Sequence, residues 1–227
     1  MVAIRLVKFT VVFISVLVFG LLAKSAPQLN DEKVVAALDA HYGQRAAQRG
    51  RTWLTIMANV GDATTAEKLE QINGFFNQLR FIDDSKLWGV ENYWATPIEF
   101  IGVNGGDCED FAIAKYFSLL ELGIDDDKMR LTMVKSLSLN QYHMVVAYYP
   151  TPGAVPLILD NIDGEIKPAD QRDDLLPVYS FNGKQLWLNK EKGQGVLAGK
   201  SQRLKRWSNL NQRMGLSNLK QAKLSLE

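Results

Sequence analysis

The sequence predicts an α+β fold, with N-terminal helices, one of them opening on a cysteine, packed on an antiparallel sheet. Three observations carry this expectation. Apolar residues recur at helical spacing as far as about Leu122. Beyond it they alternate or run in short β-forming stretches divided by turn signals. The single cysteine, Cys108, stands in Gly105-Gly106-Asp107-Cys108-Glu109-Asp110, at the entry to the most apolar of the helices. The length of 227 residues suits one domain with one core.

The N-terminus has the layout of a secretory signal peptide, with Arg5 and Lys8 before an apolar run from Phe9 to Ala23. Ala23 and Ser25 then place small residues at the −3 and −1 positions of a cut. The run is shorter than the ~20 apolar residues of a comfortable span. The expectation is a leader over 1–25 followed by a single domain over 26–227, with an uncleaved anchor as the alternative. Cleavage after Ser25 removes Arg5, Lys8 and Lys24, leaving 23 basic against 25 acidic residues, a net charge of −2. A near-neutral body offers no strong field for nucleic acid.

The elements follow in order. Asn30-Asp31 caps a helix carrying Val34, Val35, Leu38 and Tyr42, with His41 beside the stripe as a surface or satisfied histidine. A second helix is expected from Trp53 to Asn59. Thr64 and Glu67 then have capping-box spacing ahead of a helix bearing Leu69, Ile72, Phe76 and Leu79. Residues 81–104 are aromatic and irregular until Thr96-Pro97, a cap followed by proline at the first helical position. Asp107 caps the next helix, which runs to about Leu122 and stops at Gly123. Strands are expected over Met129–Leu137, Tyr142–Tyr149 and Val155–Asp160, with Pro150-Thr151-Pro152-Gly153 turning between the last two. Asn182-Gly183 signals a further hairpin within Val178–Leu188. A glycine-rich stretch from Gly193 to Gly199 leads to Lys200, Arg203, Lys205 and Arg206, a solvated helical face.

In an exported chain a lone thiol has no internal disulfide partner. A buried small hydrophobe is the ordinary reading of such a residue. Here glycines leave space around the sulfur, and the positive end of a helix favours a thiolate. His143 and then Asp160 follow on expected strands, and Cys, His and Asp in that order are the parts of a thiol nucleophile with its base and orienting carboxylate. A hairpin closing on Thr151-Pro152 would set His143 directly opposite Asp160. Asp107, Glu109 and Asp110 oppose a neighbouring thiolate. Acids at a helix start complement its dipole, but three within four residues exceed that need. A Ca²⁺ ion on Asp107 and Glu109 would cancel their field. The Cys108 N–H is one oxyanion donor, with Trp94 or Tyr93 as candidates for a second.

Trp94-Ala95-Thr96-Pro97-Ile98-Glu99-Phe100 and Gly105-Gly106-Asp107-Cys108-Glu109-Asp110-Phe111-Ala112 resemble the transglutaminase-like superfamily. The closer resemblance is to the bacterial transglutaminase-like cysteine proteinases, the LapG family of periplasmic proteases. Gln141 to Tyr149 and Leu159-Asp160-Asn161 match its His and Asp segments, and Arg172 to Leu175 and Pro177 to Asn182 its downstream region. The resemblance implies a papain/transglutaminase-like core and a catalytic triad of Cys108, His143 and Asp160. It also implies a Ca²⁺-dependent endopeptidase, located in the periplasm, that releases a large repeat adhesin of biofilms by cutting near a pair of alanines in its N-terminal region. The implied inhibitory partner is the periplasmic domain of an inner-membrane receptor for cyclic di-GMP. Two other readings stay open on the residues: acyl transfer by the same triad, as in a transglutaminase or deamidase, and a non-catalytic scaffold.

Overall fold

A computed structural model describes residues 31–189 and 195–226. The expected leader over 1–25 lies outside them. No helix among the described residues is long and apolar enough to cross a membrane.

Gly43, at φ +88°, separates α1 (Asp31–Tyr42) from α2 (Gln44–Val60). Helix α2 starts nine residues earlier than its expected beginning at Trp53. Arg45, Arg49 and Arg51 obscure the pattern there, yet Ala46, Ala47, Gly50 and Trp53 form one buried stripe. Gly50 fits beneath Leu38, where a Cβ would lie 2.3 Å from Leu38 Cδ1. His41 is exposed on α1, as expected. The expected capping box of Thr64 and Glu67 opens α3 (Thr65–Phe76), which buries Leu69, Ile72 and Phe76.

The irregular aromatic stretch holds β1 (Arg80–Phe81) and the single turn α4 (Asp84–Leu87). Thr96 and Glu99 form a second capping box, with Pro97 opening α5 (Pro97–Val103). Asn104, at φ +65°, ends that helix and delivers the chain to β2 (Gly105–Gly106), which pairs in parallel with β1. Helix α6 (Cys108–Glu121) follows and buries most of its circumference, including Phe111, Ile113, Tyr116 and Leu119. Each such side chain contributes about 1.5–3 kcal/mol through burial. Gly123, at φ +81°, lies just past its end.

The sheet comprises β3 (Met129–Ser136), β4 (Gln141–Tyr148), β5 (Leu157–Leu159), β6 (Lys167–Pro168), β7 (Leu175–Phe181), β8 (Gln185–Leu188) and β9 (Val196–Lys200). Its order is β6-β5-β4-β3-β7-β8-β9, and all neighbours are antiparallel. The hairpin signalled by Asn182-Gly183 joins β7 to β8. Strand β9 occupies what the sequence suggests is a glycine-rich connection. Gly195 and Gly199 have positive φ, and the pairing with β8 shifts register between Leu186 and Trp187, so the glycines accompany an irregular strand.

Helix α6 lies against β4 and β3. The main core fills the space between helices and sheet, and a smaller cluster of Val134, Val145, Ala147, Ile158 and Leu175 forms apart from it. After α7 (Lys205–Arg213), the chain returns to the helical layer as a strap. Arg213 pairs with buried Glu99 at 3.0 Å, the Lys220 N–H donates to Glu99 Oε1 at 2.9 Å, and the Lys223 N–H donates to the Leu87 carbonyl at 2.8 Å. Leu226 is buried beside Gly105.

Candidate active site

The two glycines before Cys108 are required by close approach. A Cβ on Gly105 would fall 2.4 Å from the Arg80 carbonyl oxygen, and one on Gly106 would fall 2.2 Å from Asp110 Oδ2. They make room for a neighbouring strand and a carboxylate, whereas the sequence suggests room for the sulfur. Asp107 is the N-cap and Cys108 the first residue of α6. Asp110 accepts from the Asp107 N–H at 3.3 Å and from the Ala95 N–H at 2.7 Å, fastening the helix start to the aromatic loop.

The Cys108 thiol is partly buried and donates to Glu109 Oε2 at 2.9 Å. Burial pushes its pKa up, and the charges of Glu109 and Asp107 push it further. A backbone hydrogen bond from Met144, the neighbour of His143 on β4, works the other way. The helix terminus alone therefore does not make the thiolate that its position suggests. The acids that flank the sulfur oppose the charge that the helix terminus favours.

His143 is buried on β4, and its Nε2 lies 2.7 Å from Asp160 Oδ1. The expected direct opposition of the two is not observed. The pairing of β4 with β5 sets Val146 against Leu159 and Tyr148 against Leu157, a shift of two residues. Gly153, at φ +85°, moves the turn along the chain, and regular pairing begins only after Pro156. One step further the register brings Asp160 beside Val145, so it reaches His143 on the diagonal. A shift of two preserves the face, which is why the hydrogen bond survives.

Asp160 is gripped firmly. Its Oδ1 also accepts from the Ile162 N–H at 3.0 Å, and its Oδ2 from Arg172 Nη2 at 2.8 Å. Arg172 is itself held by Asp174 through two bonds of 2.9 Å. Burial works to raise the Asp160 carboxyl, but His143, Ile162 and Arg172 outweigh it and hold it well below the usual carboxylate range. Arg172 falls in a segment that resembles the family's downstream region, but its role as a clamp is not legible locally, because a charged residue between Gln171 and Asp173 reads as surface.

Replacing Arg172 by Met is expected to destabilise the fold by about 3 kcal/mol at pH 7, since it breaks a buried ion pair. A carboxyl with a depressed folded pKa stabilises above its unfolded value of about 4 and loses that contribution as pH falls through the folded value. The gap between variant and wild type should therefore narrow below about pH 4. Urea denaturation at neutral and acidic pH measures it, and an unchanged midpoint at pH 7 would refute the clamp.

Ligand atoms of Asp84, Asp107 and Asp110 lie within 4.8 Å of one another, as do those of Asp107, Cys108 and Glu109. Asp84 Oδ1 and Asp107 Oδ1 are buried without a hydrogen-bond partner. Burial, and then the charges of neighbouring carboxylates, raise all three aspartates. Orphaned hard oxygens in a cluster of mutually repelling acids fit a hard divalent cation. Of the expected ligand pair, Asp107 belongs to both groups and Glu109 holds the thiol. Asp84 comes from outside the motif, brought in by the short turn that follows β1.

Trp94 is buried with its Nε1 unpartnered and stacks on Phe181, ring centroids 5.8 Å apart. The Tyr93 hydroxyl donates to Glu99 Oε1 at 2.8 Å and accepts from Arg213, so it is already occupied.

A thiol opening a helix beside a strand that bears a histidine, itself bonded to an aspartate, defines a transglutaminase-like cysteine protease. The chain belongs to the bacterial transglutaminase-like cysteine proteinase family, whose model matches residues 48–194. Among solved structures it resembles LapG from Legionella pneumophila. An EGTA-treated form is 40% identical with a TM-score of 0.74, over 84% of this chain and 100% of that one. A calcium-bound form is also 40% identical, with a TM-score of 0.71 over 82% and 100%. A comparison with curated proteins gives no match.

Proposed function

We propose that this protein is a Ca²⁺-dependent endopeptidase of the periplasm that cleaves a large repeat adhesin near a pair of alanines in its N-terminal region. In this reading Cys108 is the nucleophile, His143 the base and Asp160 the residue that orients it. The observation that carries the reading is the 2.7 Å His143–Asp160 hydrogen bond beside the start of α6. With Nε2 committed to Asp160, Nδ1 is the nitrogen left to exchange a proton with the thiol.

His143 takes the thiol proton as the sulfur bonds to the scissile carbonyl carbon, then gives it to the amine as the C–N bond breaks. Water attacks the thioester and restores the thiol. The Cys108 N–H opens α6 and has no carbonyl within the helix to serve, so it can face the oxyanion. The unpartnered Trp94 Nε1 is the second donor in this scheme. Asp107, with Asp84, Asp110 and Glu109, would hold Ca²⁺, whose charge would offset the acids beside the thiol. Export through a cleaved 1–25 leader and sequestration by an inner-membrane cyclic di-GMP receptor complete the proposal. Both rest on the sequence and the family resemblance.

Purified enzyme incubated with the adhesin's N-terminal fragment should give a cut chain by mass spectrometry. An intact chain that gains about 1 Da, or an isopeptide link, would instead show thioester transfer as in a deamidase or transglutaminase. A chelator should stop cleavage and lower the melting temperature. Added Ca²⁺ should restore both, and Mg²⁺ poorly, because Mg²⁺ demands tighter octahedral geometry. Activity and melting indifferent to chelation would show that the acids serve the helix start alone.

A further inference from the structure

Lys115 is almost fully buried, at 1% exposure. Lysine is almost never fully buried without a partner. Its Nζ lies 3.0 Å from the backbone carbonyl oxygen of Asp160, an oxygen that also accepts from Asn77 Nδ2 at 2.9 Å. Burial draws the Lys115 pKa down to about 7 against the opposing pull of the Asp160 carboxylate. A methionine would fill the same space without that cost, so what the amine adds is its hydrogen bond.

The geometry of α6 gives that bond its significance. Lys115 follows Cys108 by seven residues, two turns along the same face. Helical side chains lean toward the N-terminus, so the Lys115 chain runs back toward the turn that carries the thiol. Asp160 is thereby held at both ends, its carboxylate by His143, Ile162 and Arg172 and its carbonyl by Lys115 and Asn77. Among these partners only Lys115 belongs to the helix that bears the nucleophile.

We propose that Lys115 is a positioning residue for proteolysis, tying the thiol-bearing helix to the backbone of Asp160 and so fixing Cys108 relative to the His143–Asp160 pair. The inference rests on the reading of those three residues as the triad. Lys115→Met keeps the length and the apolar stem and removes the donor. Lys115→Gln keeps an N–H donor one atom shorter. With the tie lost, kcat of the Met variant should fall about 10- to 100-fold with KM within about twofold, because misplacing a reacting group by about 1 Å costs about that much. Alkylation of Cys108 by iodoacetamide should slow in parallel, and the Gln variant should recover part of both rates.

The melting temperature of the Met variant should change little, since the Asp160 carbonyl keeps its bond from Asn77 and the cost of burying the lysine charge is removed along with its tie. Wild-type kcat and alkylation in the Met variant would overturn the proposal. So would a loss of activity that tracks a lowered melting temperature and disappears on cooling. Failure of the triad reading looks different: His143→Ala would then retain activity whatever the Lys115 variants do.

Discussion

Cys108→Ala is expected to reduce cleavage of the proposed adhesin substrate to background while leaving the fold nearly as stable as wild type. The chain has one cysteine, so no second thiol can substitute. Members of a catalytic unit act together, and deleting the nucleophile of such a unit costs about 10⁶-fold in kcat. The packing loss is small because alanine retains the Cβ, and removal of a single buried heavy atom costs about 1 kcal/mol. The variant gives up the weak thiol hydrogen bond to Glu109 but no charge–charge stabilisation, because the acids around the sulfur do not favour its ionisation. Digestion assays alongside thermal melts separate the two effects. Turnover at the wild-type rate by the purified variant would sink the assignment of the nucleophile.

His143→Ala should be nearly as severe, and here stability should change as well. Removing the ring leaves Asp160 Oδ1 with the Ile162 N–H alone, inside a site closed to solvent. Loss of such a partner costs about 1–3 kcal/mol. Asp160→Asn should retain more activity, since the ring and the nitrogen proposed as general base remain and only orientation and charge are lost. That variant weakens the Arg172 contact too, although Arg172 keeps both bonds to Asp174. Measuring kcat/KM for the three variants on one adhesin fragment should rank Cys108→Ala and His143→Ala below Asp160→Asn, and all of them below wild type. An Asp160→Asn enzyme at wild-type kcat would make that residue a clamp for Arg172 and nothing more.

Local chemistry made much of this arrangement legible. Thr64 with Glu67, and Thr96-Pro97 with Glu99, declare two helix starts because a cap and its partner lie three residues apart in sequence. Cys108, His143 and Asp160 could be picked out because the chain has one cysteine and two histidines. The illegible parts depend on distant contacts. Asp84 is brought toward Asp107 by the distant pairing of Arg80 with Gly105 and Phe81 with Gly106. The offset of Asp160 from His143 is decided at Gly153 and Pro156, where the turn could close in more than one register. Lys115 and Arg172 carry charges that argue for the surface in any local window, and only the carboxylate and carbonyl of Asp160 explain their burial. The start of α2 was hidden for the opposite reason, since its buried face is built from alanine and glycine, which signal little.

The strap formed after α7 bears on the order in which the protein is made. A ribosome releases Arg213, Lys220 and Leu226 after the whole sheet and α6 have emerged. Until they arrive, buried Glu99 is without its guanidinium and the Lys220 amide, and Gly105 is without Leu226 beside it. The loop that presents Cys108 is thus braced only after the sheet and α6 have been made. A nascent chain stopped short of Lys220 would contain Cys108, His143 and Asp160, the proposed triad, and still have an unfinished cradle for the thiol.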